Sequence, residues 1–276
     1  MNAAALPYTV LLMLVELAAG AVAVASWFDA RRMVTRGYVQ AGALVTLPLA
    51  LGALAITLTA AATPEIDGYA LAEGWWAPLR WTLVAFVATL AVYLVATFTE
   101  SFRFRVTSGA GASIAGALAV VALAAVVAPP TWSAAGAVVS VLVGAAVLGG
   151  ALMAMTWGHW YLTNSGLPKE PLEQMSLLVL GAVGVSAVLA VLGAALPPRQ
   201  EPLIESVTVG LIANPAFWLR MGVGIVFPLL LATLAWKAAS VRGMMSATGL
   251  LYIALGAVLA GELLARGLLF TSGRLV

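Results

Sequence analysis

The fold of this chain is decided by the apolar stretch SATGLLYIALGAVLAGELLARGLLF, residues 246–270. At roughly 20 residues per crossing, this stretch is long enough to span a lipid bilayer as a helix. It nevertheless contains two charged residues, Glu262 and Arg266, although a charge at bilayer depth costs at least about 2.5–3.5 kcal/mol. Because they are four residues apart, they lie on one face of the helix and neutralise each other. We interpret the stretch as a buried member of a helical bundle, with its polar face pointing inward.

The composition places the chain among membrane proteins. Hydrophobic residues make up 63% of it and charged residues 9%, and the mean hydropathy is +1.07, which is outside the range of soluble domains. The apolar runs are continuous and lack the alternation of a β-barrel, so we predict an all-α polytopic protein. Without cysteine, the chain itself offers no disulfide, thiolate or iron–sulfur ligand. The small net charge does not favour nucleic-acid binding.

Eight apolar runs predict eight transmembrane helices in a single integral membrane domain. Their approximate bounds are 8–27, 38–59, 79–98, 110–127, 133–156, 177–196, 217–236 and 246–270. Eight spans are compatible with two four-helix bundles. The connections are short, so chemistry that needs a soluble domain would come from a partner. The segment 199–215, which holds Glu201 and Glu205, is compatible with a short helix at the membrane surface.

The distribution of basic residues predicts the orientation. The connections after spans one, three, five and seven carry most of them: Arg31, Arg32, Arg36, Arg103, Arg105, Lys169, Lys237 and Arg242. Lys and Arg accumulate in cytoplasmic connections, so we predict a multi-pass protein of the cytoplasmic (inner) membrane with both termini outside. The opposite side has two matching clusters at the membrane–water interface, Trp75, Trp76 and Arg80 in one and Trp218 and Arg220 in the other. They are interpreted as anchors, and the alternative is a docking surface or a quinone-entry rim.

Glu16 is a third ionisable residue within an apolar span. The first and last helices of a bundle often meet, so we expect Glu16 to join Glu262 and Arg266. Two carboxylates and one guanidinium would leave one acid in excess, which could accept or release a proton. Two interpretations stay open: a catalytic site that handles protons, or a salt bridge that only holds helices together.

His159 is the only histidine, and it lies among Trp157, Trp160 and Tyr161 near the inner end of the fifth span. Aromatic side chains around an imidazole suit a quinone headgroup or the edge of a porphyrin, so these four residues are candidates for cofactor binding. The alternative is an interfacial aromatic belt with an incidental histidine. A haem held by two histidines would need a second one, so haem is expected less than a quinone. No sequence motif indicates a metal site.

The run LAGELLARGLLF, residues 259–270, resembles the end of the eighth span in the membrane-anchor family of dimethyl sulfoxide reductase. This family is related to the polysulfide-reductase and NrfD-type anchors and has a similar Ala-Gly-Glu…Arg-Gly…Phe pattern. Glu262 and Arg266 fall on its motif. The resemblance implies eight spans with outside termini and a quinol site for menaquinone or ubiquinone. It also implies electron transfer to iron–sulfur and molybdopterin-type partner subunits.

The expected function is therefore that of a membrane anchor in a respiratory redox complex. Such a subunit exchanges electrons and protons with the quinone pool and docks a redox partner. Whether the chain is itself catalytic stays open. Two alternatives also remain: a b-haem subunit that uses His159, and a transporter or purely structural subunit. A transporter should show broken helices and a cavity at mid-depth, for which Pro48 and Pro228 are weak indications.

Overall fold

The computed structural model describes residues 5–59, 63–164, 166–200, 202 and 210–276. This part of the chain is almost entirely helical, and eight of its helices are long and apolar enough to cross a membrane. They are α1 Leu6–Ala30, α2 Arg36–Thr59, α3 Trp76–Phe98, α4 Phe102–Val127, α5 Ala134–Thr163, α6 Glu170–Ala195, α7 Pro215–Ser240 and α8 Met244–Ser272. The predicted all-α, eight-span fold class is confirmed.

Several helices continue beyond the ends that hydropathy predicts. The fourth begins at Phe102, so Arg103 and Arg105 stand in its first turns instead of in a loop. Ser101 caps this helix by accepting a hydrogen bond from the backbone N–H of Phe104, which satisfies a donor that a helix start otherwise leaves free. Hydropathy detects only the apolar part of a span, and the polar turns at the membrane surface remain helical.

The connections described outside the spans are short. Between α2 and α3, the strands β1 (Glu65–Ile66) and β2 (Tyr69–Ala70) form a small antiparallel hairpin. Its two turn residues both have positive φ, as in the tight turns that match strand twist. Of the segment 199–215, Glu201 and Glu205 lie outside the described residues. Its last part forms a 3-10 turn, Leu211–Ala213, immediately before α7.

The eight helices pack as two rings of four, α1 to α4 and α5 to α8, joined mainly where α1 lies against α5. Glycines let the backbones of α1 and α5 approach each other closely at this junction. A Cβ added to Gly149 of α5 would collide with the backbone of Gly20 and Ala21, and one added to Gly20 would collide with the carbonyl of Ala145. Small residues allow such backbone contact between transmembrane helices. The junction brings α1 into contact with the second ring.

The seventh span is irregular near its start. It is α-helical over Pro215–Met221, π-helical over Gly222–Val226 and α-helical again from Phe227. In the π-helical segment the backbone N–H of Phe227 donates to the carbonyl of Gly222, five residues back. Pro228 has no N–H to donate to Gly224, and the Arg220 Nη1 donates to that carbonyl at 3.4 Å instead.

Candidate functional site

Four charged side chains from three helices meet inside the bundle. They are Glu16 of α1, Arg220 of α7, and Glu262 and Arg266 of α8, and none is more than 3% exposed. Glu16 and Glu262 each stand ten residues from a helix end on the same side of the bundle, which is roughly 15 Å at 1.5 Å per residue. The group, called the charged network below, therefore lies in the half of the membrane that faces the outside under the predicted orientation.

The charges in this network alternate in sign. Glu16 Oε1 lies 2.5 Å from Arg266 Nη2, Arg266 Nη2 lies 3.2 Å from Glu262 Oε2, and Glu262 Oε1 lies 3.1 Å from Arg220 Nη2. A second contact, from Arg266 Nε to Glu16 Oε2 at 3.3 Å, makes the first pair bidentate. Two carboxylates thus face two guanidiniums, and the expected excess of one acid is wrong because Arg220 supplies the missing positive charge.

Polar groups of neighbouring segments accept hydrogen bonds from the other N–H groups of the two guanidiniums. Arg266 lies 3.4 Å from both the hydroxyl and the carbonyl of Ser140 on α5. Arg220 donates to the hydroxyl of Ser186 on α6 at 2.7 Å and to the main-chain oxygen of Val276 at 3.3 Å. All four helices of the second ring, together with α1, therefore contribute to the network. Such extra hydrogen bonds are what a buried ion pair needs to offset its desolvation.

Glycines provide the space in which the network fits. A Cβ on Gly144 of α5 would strike the Arg266 guanidinium and the Glu16 carboxylate. At the contact of α7 with α8, the backbones of Gly224 and Gly261 approach so closely that a Cβ on either would collide with the other. This approach lets Arg220 reach Glu262. The small residues that pack these helices therefore also assemble the charges.

One buried oxygen of the network has no hydrogen-bond donor among the described residues. Glu262 Oε1 is buried and is close to Arg220, but the contact lacks hydrogen-bond geometry, so the oxygen is unsatisfied among the described residues. It belongs to a small polar cavity whose walls include Ser140 and Ser186. The cavity has room for about one water molecule. Glu262 Oε1 is therefore the open acceptor of the network.

The placement of Arg220 differs from its interpretation as an interfacial anchor beside Trp218. Trp218 is 59% exposed, whereas Arg220 points into the bundle and is 3% exposed. Two residues along a helix turn the side chain by about 200°, so neighbours in sequence face opposite environments. The inward position of Arg220 was therefore not predicted from the sequence. The signal that points to it is the expected excess of one acid, because a buried charge is costly without a partner.

The imidazole of His159 faces away from Trp157, so the four candidates do not form a box around it. Trp157 is fully buried and stands edge-on to Tyr38 at 5.1 Å, whereas His159 is exposed and its Nδ1 lies 2.8 Å from the hydroxyl of Tyr252 on α8. The imidazole thus has a tyrosine of α8 as its aromatic neighbour.

The other two members of the cluster, Trp160 and Tyr161, are partly buried and pack against the apolar core. Trp160 packs beside Gly37, at the start of α2, and Tyr161 packs against the apolar core. Spacings of three and four residues put Trp157, Trp160 and Tyr161 on one side of α5. His159, two residues after Trp157, is turned about 200° away from it and is exposed.

A second buried ion pair lies toward the opposite membrane surface. Asp29, near the end of α1, receives hydrogen bonds from Arg105 Nε at 2.6 Å and from Arg105 Nη2 at 3.0 Å. Asp29 is 2% exposed, and the pair connects α1 with α4. The bidentate geometry fixes the two helices relative to each other at this end of the first ring.

Across the described ranges, no group of three or more His, Asp or Glu side chains is placed to hold a metal ion. No protein-family model matches the chain, and no curated protein matches it.

Proposed function

We propose that the chain is the membrane-anchor subunit of a respiratory redox complex and that its charged network handles protons. The observation that carries the proposal is the open acceptor, Glu262 Oε1, buried in a membrane span beside a polar cavity. Ionisable groups at this depth are costly and usually functional. The resemblance of residues 259–270 to the anchor family supports the redox part of the proposal.

The geometry gives the four side chains different roles. The guanidiniums stay charged, so Arg220 and Arg266 hold the carboxylates in place. Glu16 is engaged by Arg266 through both oxygens, whereas Glu262 Oε1 is buried without a hydrogen-bond donor. Glu262 is therefore the group that accepts and releases the proton. The hydroxyls of Ser140 and Ser186 both accept and donate hydrogen bonds, and they connect the network with the cavity.

The residues beside the network do not fit a quinone headgroup. The polar cavity there holds about one water molecule. A larger groove on the bilayer-facing surface is lined mainly by apolar residues, and the hydroxyl of Ser113 in its lining is already bonded to Gly109 and Ser26. The cavity is too small for a quinone ring, and the walls of the groove are almost entirely apolar. Menaquinone or ubiquinone binding thus stays a prediction from the resemblance, and we assign only proton handling to the network.

Partner subunits would carry the electrons. No metal-holding group occurs among the residues that the structure describes, and their connections between spans are short. An iron–sulfur or molybdopterin-type subunit would therefore dock on a membrane surface of this chain, as the resemblance implies.

A transporter is the second candidate, and one observation favours it. The π-helical segment Gly222–Val226 interrupts α7 directly beside the charged network, and interrupted helices mark binding sites in many transporters. The cavity at this point is far smaller than a solute site. A transporter would therefore have to open the contact between α7 and α8 around Gly224 and Gly261.

Purification from native membranes tests the proposal. We expect mass spectrometry of the mildly solubilised complex to identify redox subunits bound to the chain. In that complex, Glu262→Gln should keep assembly and lower turnover on the order of 100-fold, the scale of lost proton transfer. The matched control is Glu73→Gln, which changes an exposed carboxyl on the same side of the membrane. Purification without a redox partner, together with solute flux through liposomes containing the chain alone, would support the transporter instead.

A further inference from the structure

The bilayer-facing surface contains an apolar groove of about 430 Å³ where the two helical rings meet. Its walls come from α1, α4, α5 and α6, and they include Gly20, Ala23, Ala117, Ala145 and Leu178. Small side chains create the depression, and the serine hydroxyl in its lining is already hydrogen-bonded. At the depth of the hydrocarbon core, such a groove fits a flexible hydrocarbon chain.

The inner end of the groove carries a positive charge. Trp27 lines the groove, and Arg31, one helical turn further along, places its guanidinium 5.8 Å from the Trp27 ring centroid. Leu178 lines the opposite wall, and Gln174, one turn away on α6, accepts a hydrogen bond from Arg31 Nη1 at 3.3 Å. Arg31 and Gln174 therefore bridge the mouth of the groove.

Arg31 lies where lipid headgroups are found. It follows the last residue of α1 and is exposed, beside an exposed tryptophan of the kind that marks a membrane interface. No carboxylate in the described part of the chain lies within 4.0 Å of it.

The neighbouring charges do not neutralise Arg31. Asp29 is engaged by Arg105, Glu173 is paired with Lys169, and Arg32 lies over the Phe102 ring. The mouth of the groove is therefore positive and open to an anion.

We propose that this groove binds an anionic phospholipid of the bilayer, with one acyl chain between the two rings and the phosphate at Arg31 and Gln174. The hydrocarbon fills a depression that the helices leave at their junction, and the phosphate supplies the charge that Arg31 lacks. Basic pockets between transmembrane helices recognise anionic headgroups in this way. The site is separate from the charged network and does not depend on its function.

Native mass spectrometry of the detergent-solubilised full chain, titrated with phosphatidylglycerol or phosphatidylcholine, tests the headgroup part. We expect preferential binding of phosphatidylglycerol. Arg31→Gln should weaken this binding by about fivefold, the factor for one arginine near a membrane surface. The matched control is Arg103→Gln, which removes an exposed arginine at the same membrane surface away from the groove lining and should leave binding unchanged.

A second pair of variants tests the acyl-chain part. Ala23 lines the groove and is exposed, so Ala23→Leu should fill the groove without disturbing the core. It should weaken phosphatidylglycerol binding by about tenfold, which corresponds to the free energy of burying about two methylene groups of the acyl chain. Ala88→Leu, at an exposed position of α3 outside the groove lining, should have no effect. Equal binding of the two lipids, or the same result for either variant and its control, would overturn the proposal.

Discussion

The guanidinium of Arg220 lies 3.1 Å from the carboxylate of Glu262, across the contact between α7 and α8. This pair makes the buried network electrically balanced, because Arg266 is already shared between Glu262 and Glu16. The interruption of α7 supports the pair, since the carbonyl that Pro228 leaves free accepts a hydrogen bond from Arg220. Loss of any single member would leave a charge without a partner inside the membrane.

The first prediction concerns the stability of this network. Arg266→Leu removes both guanidinium contacts of Glu16, so we expect the free energy of unfolding to fall by about 3–5 kcal/mol, the range for breaking a buried pair. The double variant Glu16→Leu, Arg266→Leu removes one carboxylate and one guanidinium and retains the pair of Arg220 with Glu262. It should lose less than Arg266→Leu alone.

Reversible unfolding in mixed detergent micelles measures both variants. Glu73→Leu is a suitable control because this carboxyl is exposed and should change the unfolding free energy by less than about 0.5 kcal/mol. A double variant at least as unstable as Arg266→Leu would contradict the view that the uncompensated charge causes the loss.

The second prediction concerns orientation. Reporter domains fused after Arg36 and after Val276 should lie in opposite compartments, the first inside and the second outside. The reason is the excess of Lys and Arg in the connections after odd-numbered spans, combined with eight helices able to span the membrane. Reporter activity in whole cells distinguishes the two sides. Reporters in the same compartment would contradict the predicted topology.

The third prediction is that His159 does not hold a haem. It is the sole histidine of the chain, and its Nδ1 faces the hydroxyl of Tyr252 at 2.8 Å. The absorption spectrum of the purified chain should therefore lack a stoichiometric Soret band, both in the parent protein and in a Tyr252→Phe variant that frees the imidazole. A b-type spectrum that disappears in His159→Ala would show the opposite.

The sequence predicts the fold class and part of the charged network, each for a different physical reason. Continuous apolar runs decide the number of spans, because backbone polar groups in lipid require a helix. The contact of Glu262 with Arg266 follows from a spacing of four residues on one helix. The contact of Glu16 with Arg266 was predicted only from the assumption that the first and last helices are neighbours. The structure places the two side chains in contact.

The remaining features depend on contacts between distant segments. Whether Arg220 points inward is decided by the approach of Gly224 to Gly261, and no local pattern encodes that approach. The same holds for His159, whose neighbour Tyr252 lies 93 residues away in sequence. Hydropathy also cannot locate the groove, because its walls come from four separate helices.

The last prediction concerns the junction of the two rings. Gly149 meets the backbone of α1 so closely that a Cβ would collide with Gly20 and Ala21. Gly149→Ala should therefore force α1 and α5 apart and lower the free energy of unfolding by about 1–3 kcal/mol, the usual cost of overpacking.

Gly181→Ala is the matched control, because a Cβ at this helical position meets no heavy atom within 4 Å. Alanine favours a helix over glycine by about 0.8–1.0 kcal/mol in water, so this variant should be neutral or more stable. The two substitutions add the same methyl group to transmembrane helices, and only the one at the α1–α5 contact should destabilise. Unfolding in mixed micelles compares them directly, and equal stability would mean that the two helices do not touch at Gly149.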